Sequence, residues 1–118
     1  MSEDVTTSSV MGLEVLVADD HPLIRAGIKA MLAARPDWRV CAEAETGEVA
    51  LRLARLLRPR LAVLDYSLPG INGLEVARRL CREIPGVGVL IYTMHADERM
   101  VPVLLEAGVR GYPKPPRL

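Results

Sequence analysis

At 118 residues, half of them apolar and a quarter charged, the chain is one globular domain, too short for two cores and too apolar for disorder. Fifteen basic and fifteen acidic residues cancel, which argues against nucleic-acid binding by this chain through a global field of charge. No apolar run approaches the roughly 18 residues that would span a bilayer, and Met1 to Met11 lack the basic start and apolar stretch of a signal peptide. Residues 1–12 read as a flexible tail and 13–118 as the domain.

Leu13 to Ala18 is a short apolar run of β-forming residues stopped by Asp19 and Asp20, which predicts a buried strand ending at a charged edge. Pro22 suits the first position of a helix. Leu23, Gly27, Ile28, Met31 and Leu32 continue it at helical spacing to about Arg35, before Pro36. Val40 to Glu45 alternates apolar and polar residues, as an edge strand does. Thr46 is an N-cap for a helix with the stripe Val49, Leu53, Leu56 and Leu57, closed by Pro59. Leu61 to Leu64 is a second apolar run that stops on a carboxylate, Asp65, and Leu68-Pro69-Gly70 is turn chemistry. A helix from about Asn72 to Glu83 buries Leu74, Ala77, Leu80 and Cys81, with Glu75 and Arg79 paired outside. Val87 to Tyr92 is a fourth buried strand ending at Thr93. Met100, Val103, Leu104 and Ala107 then predict a helix stopped by Gly108. Pro102 inside it costs about 3 kcal/mol, so that helix starts near Val101 or is kinked. Gly111-Tyr112 begins a fifth strand.

Strands alternating with helices through short loops give βαβ units and a parallel sheet, an α/β fold. Right-handed crossovers put the loops at the carboxyl ends of the strands along one edge, where such sheets bind ligands. Asp19, Asp20, Asp65 and Thr93 all stand at those ends. Three carboxylates packed together repel unless a cation neutralises them, and an oxygen-only set favours a hard ion such as Mg²⁺. A carboxylate can also attack phosphorus to give an aspartyl phosphate, and Thr93 offers a hydroxyl to a phosphoryl oxygen. His21 and His95 read as loop and packing residues, because the site is oxygen-rich and they lack partners at ligand spacing. Cys41 and Cys81 lack metal-ligand spacing and read as buried thiols in a reducing cytosol.

The runs Val17-Ala18-Asp19-Asp20-His21-Pro22-Leu23-Ile24-Arg25 and Val63-Leu64-Asp65-Tyr66-Ser67-Leu68-Pro69-Gly70-Ile71-Asn72-Gly73-Leu74-Glu75 carry a family resemblance. With Thr93-Met94-His95 and Ala107-Gly108-Val109-Arg110-Gly111-Tyr112, they closely resemble response-regulator receiver domains. The wording is most like the NarL/FixJ-type subfamily, whose members usually carry a C-terminal helix-turn-helix. The resemblance covers Leu13 to Tyr112. It implies a three-layer, flavodoxin-like, doubly wound parallel sheet in the CheY-like order 2-1-3-4-5. It also implies that Asp65 is the phospho-acceptor, Asp20 a direct Mg²⁺ ligand and Asp19 an acid acting mostly through water. By the same resemblance the backbone carbonyl of Ser67 would complete the protein ligands, with Thr93 as the switch hydroxyl and Tyr112 as the switch aromatic. Pro69 and Gly73 match the turn and helix start after the acceptor.

Two departures stand out. The family's lysine follows the switch aromatic by three residues, whereas Lys114 follows Tyr112 by two, after Pro113. A one-residue slip turns a strand side chain to the other face, so Lys114 reaches the site only through a local bulge. The chain also reads as truncated, with the fifth helix missing and no DNA-binding domain, which would leave an apolar sheet face open to association. The expected function is phosphorelay signalling: a cytoplasmic receiver, not an enzyme beyond weak self-dephosphorylation, phosphorylated on Asp65 by a sensor histidine kinase. It would belong to, or derive from, a two-component transcriptional regulator. A homodimer would use the exposed sheet face or a fourth-helix/fifth-strand surface; no membrane is involved. A degenerate receiver that binds partners without phosphorylation is the alternative. A metal-dependent phosphohydrolase fits less well, because Ser67 stands where a second acid of an Asp-x-Asp pattern would be.

Overall fold

A computed structural model describes residues 12–94 and 100–106. Its elements are β1 (Leu13–Ala18), α1 (Pro22–Ala33), β2 (Trp38–Ala44), α2 (Gly47–Leu57), β3 (Leu61–Asp65), α3 (Gly73–Glu83), β4 (Gly88–Met94) and β5 (Met100–Glu106). The strands form one sheet in the order β2-β1-β3-β4-β5, and the first four are parallel. The central strands β1 and β3 are apolar and buried because helices cover both faces. On one face α1 packs Ile24, Ile28 and Leu32 against Val15, Val17 and Val63. On the other, α2 and α3 bring Ala50, Leu51, Ala54, Val76, Ala77 and Leu80 against Leu16, Ala62 and Leu64. That is the expected three-layer, CheY-like arrangement.

Local chemistry sets the helix ends. Pro22 opens α1. Thr46 Oγ1 accepts the Val49 N–H at 3.1 Å at the start of α2, and Asn72 Oδ1 accepts the Glu75 N–H at 2.9 Å at the start of α3. Arg58 closes α2 in the left-handed region, φ 49°, and its N–H donates to the Ala54 carbonyl at 2.7 Å before the buried Pro59. Two of the predicted apolar stripes are buried only in part. Leu23 and Met31 of α1 and Leu56 of α2 are exposed. Ile28 and Leu32 of α1 and Val49 and Leu53 of α2 pack against the core as expected, joined by Ile24 in α1 and by Ala50, Leu51 and Ala54 in α2. Apolar residues three or four apart define several adjacent rows, and packing against the sheet selects one of them.

The predicted helix through Met100, Val103, Leu104 and Ala107 is not formed. Met100–Glu106 is a strand, antiparallel to β4, with Thr93 opposite Val101 and Gly88 opposite Glu106. The fifth strand of the sheet is thus neither parallel nor at Gly111-Tyr112, which lies outside the described residues. Proline disfavours the helix interior, while Val101 and Val103 favour strand. An edge strand tolerates Pro102 where the missing N–H points away from the ladder. An antiparallel neighbour also needs only a hairpin-length connection, here residues 95–99, whereas a parallel one needs a crossover of a dozen residues or more. The surface expected between a fourth helix and a parallel fifth strand is therefore not formed among the described residues. The expected open sheet face depends on residues after Glu106, outside that description.

Candidate metal centre at the strand tips

Two adjacent strand ends build the site. Ala18 is paired with Leu64 across β1 and β3, so Asp19 and Asp65 emerge side by side. Both carboxylates are buried, 1% and 3% exposed. The Asp19 N–H donates to the Ala44 carbonyl at 2.9 Å, and the Tyr66 N–H, just past Asp65, donates to the Tyr92 carbonyl at 2.8 Å. These bonds fix the tips of β1 and β3 to their neighbours. Asp20, one residue beyond Asp19, is exposed. Oxygens of Asp19, Asp20 and Asp65 and a ring nitrogen of His21 lie within 4.8 Å of one another.

The loop after β3 holds the Asp65 carboxylate. The Ser67 N–H donates to Asp65 Oδ1 at 3.0 Å, and the Gly73 N–H to the Tyr66 carbonyl at 3.0 Å. A Cβ at Gly73 would overlap the Asp65 carbonyl, so only glycine lets α3 start so close to that strand end. Asp19 is held more tightly. His21 donates to Asp19 Oδ1 from its backbone N–H at 2.7 Å, and its Nδ1 lies 2.7 Å from the same oxygen. The buried Tyr92 hydroxyl donates to Oδ2. Arg25 Nη1 donates to the Asp19 carbonyl at 2.7 Å and is itself steadied by Glu43, 3.0 Å from its Nε.

Burial pushes the Asp65 carboxyl above the usual carboxylate range; Asp19 and Asp20 push the same way, and the Ser67 N–H and His21 oppose them. An acid in that state is stabilised as carboxylate by any cation placed beside it. Three carboxylates within reach of one point, with oxygens of Asp20 and Asp65 less occupied than those of Asp19, suit a hard ion of the Mg²⁺ type. The acidic cluster fits such an ion in chemistry and in spacing.

His21, read from sequence as a loop residue, is in the cluster. Its Nδ1 lies 2.7 Å from Asp19, 3.1 Å from Asp20 and 3.9 Å from Asp65. The hydrogen bond to Asp19 and the charges of Asp20 and Asp65 raise its pKa above the ordinary histidine value, so protonated His21 is an internal counter-charge. A histidine that binds its proton more tightly when folded stabilises the fold fully below its unfolded pKa. That contribution is lost as pH rises through the folded pKa. In a proton NMR titration, His21 accordingly has a midpoint above that of a histidine peptide, and added Mg²⁺ moves it down. A midpoint at or below the peptide value would contradict this electrostatic picture.

Of the other residues singled out from sequence, Ser67 meets Asp65 through its N–H. Thr93 is half-buried, one residue beyond Tyr92, the strand partner of Asp65. On the same strand, the Tyr92 hydroxyl donates to Asp19. Tyr112, Lys114 and His95 lie outside the described residues. Sequence reading missed Tyr92, Arg25 and His21. The available signal was Tyr92 itself, since a buried tyrosine hydroxyl needs a partner and the carboxylates lie at the neighbouring strand ends. Cys41 and Cys81 are free, partly buried thiols with pKa values pushed up by burial. Among the described residues no helix is long and apolar enough to cross a membrane.

Residues 15–116 match the family model described as the response regulator receiver domain. The chain is 36% identical over 112 residues to the transcriptional regulatory protein DegU of Brevibacillus brevis, covering 95% of this chain and 46% of that protein. It is 41% identical over 100 residues to the response regulator GacA of Pseudomonas aeruginosa, covering 85% of this chain and 47% of that protein. It thus spans about half the length of these curated relatives. The solved signal receiver domain of NarL from Mycobacterium tuberculosis superposes with a TM-score of 0.67 at 36% identity, covering 71% of this chain and 68% of that one.

Proposed function

The chain belongs to the response-regulator receiver family, in its NarL/FixJ-type branch, and from that premise we propose that Asp65 accepts a phosphoryl group while Asp19 and Asp20 help hold Mg²⁺ beside it. Receivers of this family act in phosphorelay signalling, and those of response regulators partner with sensor histidine kinases. The donor for this chain is then a kinase phosphohistidine. The observation that carries the reading is the convergence of Asp19, Asp20 and Asp65 at adjoining strand tips.

In that reaction an Asp65 oxygen bonds to phosphorus as the donor's P–N bond breaks, and the electron pair returns to the histidine nitrogen. Bound Mg²⁺ supplies positive charge against the phosphoryl oxygens and lets anion approach anion. The chain's own part is positional. The Ser67 N–H fixes one Asp65 oxygen, the exposed Asp20 lies at the solvent side, and the Ser67 carbonyl would complete the ligand set. Thr93 and Tyr112 take the switch roles that the resemblance implies, and Lys114 joins the site only where a local bulge turns it there. The chain is a signalling acceptor rather than a turnover enzyme, acts in the cytoplasm, and forms part of a transcription regulator such as those named among its relatives.

Incubation with acetyl phosphate and Mg²⁺ adds one phosphoryl group per chain, detectable by intact mass. Chelation of the metal with EDTA suppresses it about a hundredfold, consistent with the loss of one strongly stabilising charge. Uptake that is indifferent to EDTA would overturn the metal-assisted reading.

A further inference from the structure

We propose that the Tyr92 hydroxyl is a positioning group for the metal site, acting through Asp19. The inference rests on the Mg²⁺ reading of the acidic cluster and names a residue which that reading does not contain. Tyr92 is 1% exposed and packs among Val15, Val17 and Val63 under α1. Its ring is therefore fixed by the core, and its hydroxyl donates to Asp19 Oδ2. The other Asp19 oxygen accepts from the His21 backbone N–H and lies 2.7 Å from the ring Nδ1. Asp19 is thus held from both sides by groups anchored in β4 and in the start of α1, whereas Asp20 is exposed and Asp65 accepts one backbone N–H.

A carboxylate whose oxygens already accept protein donors is a poor direct ligand and a good fixed acceptor for water bound to a cation. These hydrogen bonds agree with the division of the acids that the resemblance implies. Asp20 and Asp65 would hold the ion directly, and Asp19, aligned by Tyr92, would act on it through water. Hydrogen-bonded partners behind metal ligands commonly change metal affinity tenfold or more when removed. The strand order explains how a residue 73 positions away reaches Asp19. Tyr92 pairs with Asp65 on β4, and its long side chain spans the width of β3 to the tip of β1.

The test is a Mg²⁺ titration followed by two-dimensional amide NMR on the full chain, comparing wild type, Tyr92→Phe and Val63→Ala. Tyr92→Phe keeps the ring and deletes only the hydroxyl, so its circular dichroism spectrum matches wild type while its Mg²⁺ Kd rises about tenfold. Val63→Ala loosens the same cluster without touching Asp19, so its melting temperature falls while its Kd stays within about twofold of wild type. At saturating Mg²⁺, phosphoryl uptake by Tyr92→Phe returns to the wild-type rate. An unchanged Kd in Tyr92→Phe, or an equal rise in Val63→Ala, would overturn the role of the hydroxyl and leave the metal reading intact. A wild-type chain that binds no Mg²⁺ would overturn both.

Discussion

Asp65→Asn stays folded and takes up no phosphoryl group: incorporation from acetyl phosphate falls at least about a hundredfold, to background. Removal of a nucleophile from a reaction that has no substitute produces a loss of that order or greater. The substitution isolates chemistry from architecture. An asparagine oxygen can still accept the Ser67 N–H that now reaches Asp65 Oδ1 at 3.0 Å, so the loop after β3 keeps its anchor. The neutral amide also removes a buried charge that Asp19 and Asp20 oppose. Without metal, the variant therefore melts at or above the wild-type temperature, by differential scanning calorimetry. Peptide mapping that places an undiminished phosphoryl group on another acid would show that the nucleophile had been misassigned. A variant that unfolds would show that the carboxylate is structural.

Gly47→Ala loses about 3 kcal/mol of stability, toward the upper end for overpacking a close contact, and melts about 10–15 °C lower. The first residue of α2 lies against the loop that follows Asp65. Its N–H donates to the Pro69 carbonyl at 3.1 Å, and a Cβ there would overlap the Ile71 carbonyl and carbon, which are main chain and cannot swing aside. The methyl group must push apart α2 and the segment that carries Asp65 into α3. Chemical denaturation measures the loss, and a midpoint equal to wild type would mean that the two segments are not in contact in solution. The same variant is expected to accept phosphoryl groups more slowly, because the displaced segment includes the Ser67 N–H.

The central architecture was readable because the strands are apolar runs that end abruptly on acids. Val15 to Ala18 and Ala62 to Leu64 can be satisfied only between two covered faces, and their next residues, Asp19 and Asp65, had to emerge at one sheet edge. Helix phase was less readable. Leu23 and Leu56 look like core residues in a pattern of period 3.6, yet they point outward because the sheet, not the helix alone, decides which row is used. The segment from Met100 to Glu106 misled for a related reason. Its apolar residues fit helical spacing, and the conflict signalled by Pro102 was resolved by changing the element rather than bending it. Tyr92 was hidden because a lone aromatic at the end of an apolar strand resembles core. Its hydroxyl acquires meaning only when β4 and β1 lie on either side of β3.

The strand order also has a kinetic consequence. Val15 must find Leu61 before β1 and β3 can zip together, which requires closing a long stretch of unfolded chain, with an entropic penalty that precedes any reward. The β4–β5 hairpin is closed across residues 95–99 alone, on the microsecond scale typical of such units. The acidic centre therefore matures with the slow, distant closure and not with the fast local one. Any fluctuation that separates the first strand from the third erases the centre entirely, while the hairpin can persist. Native-state hydrogen exchange at the tips of those two strands would then report that partial opening, and sensitivity to signal would vanish with it even where the hairpin stays paired.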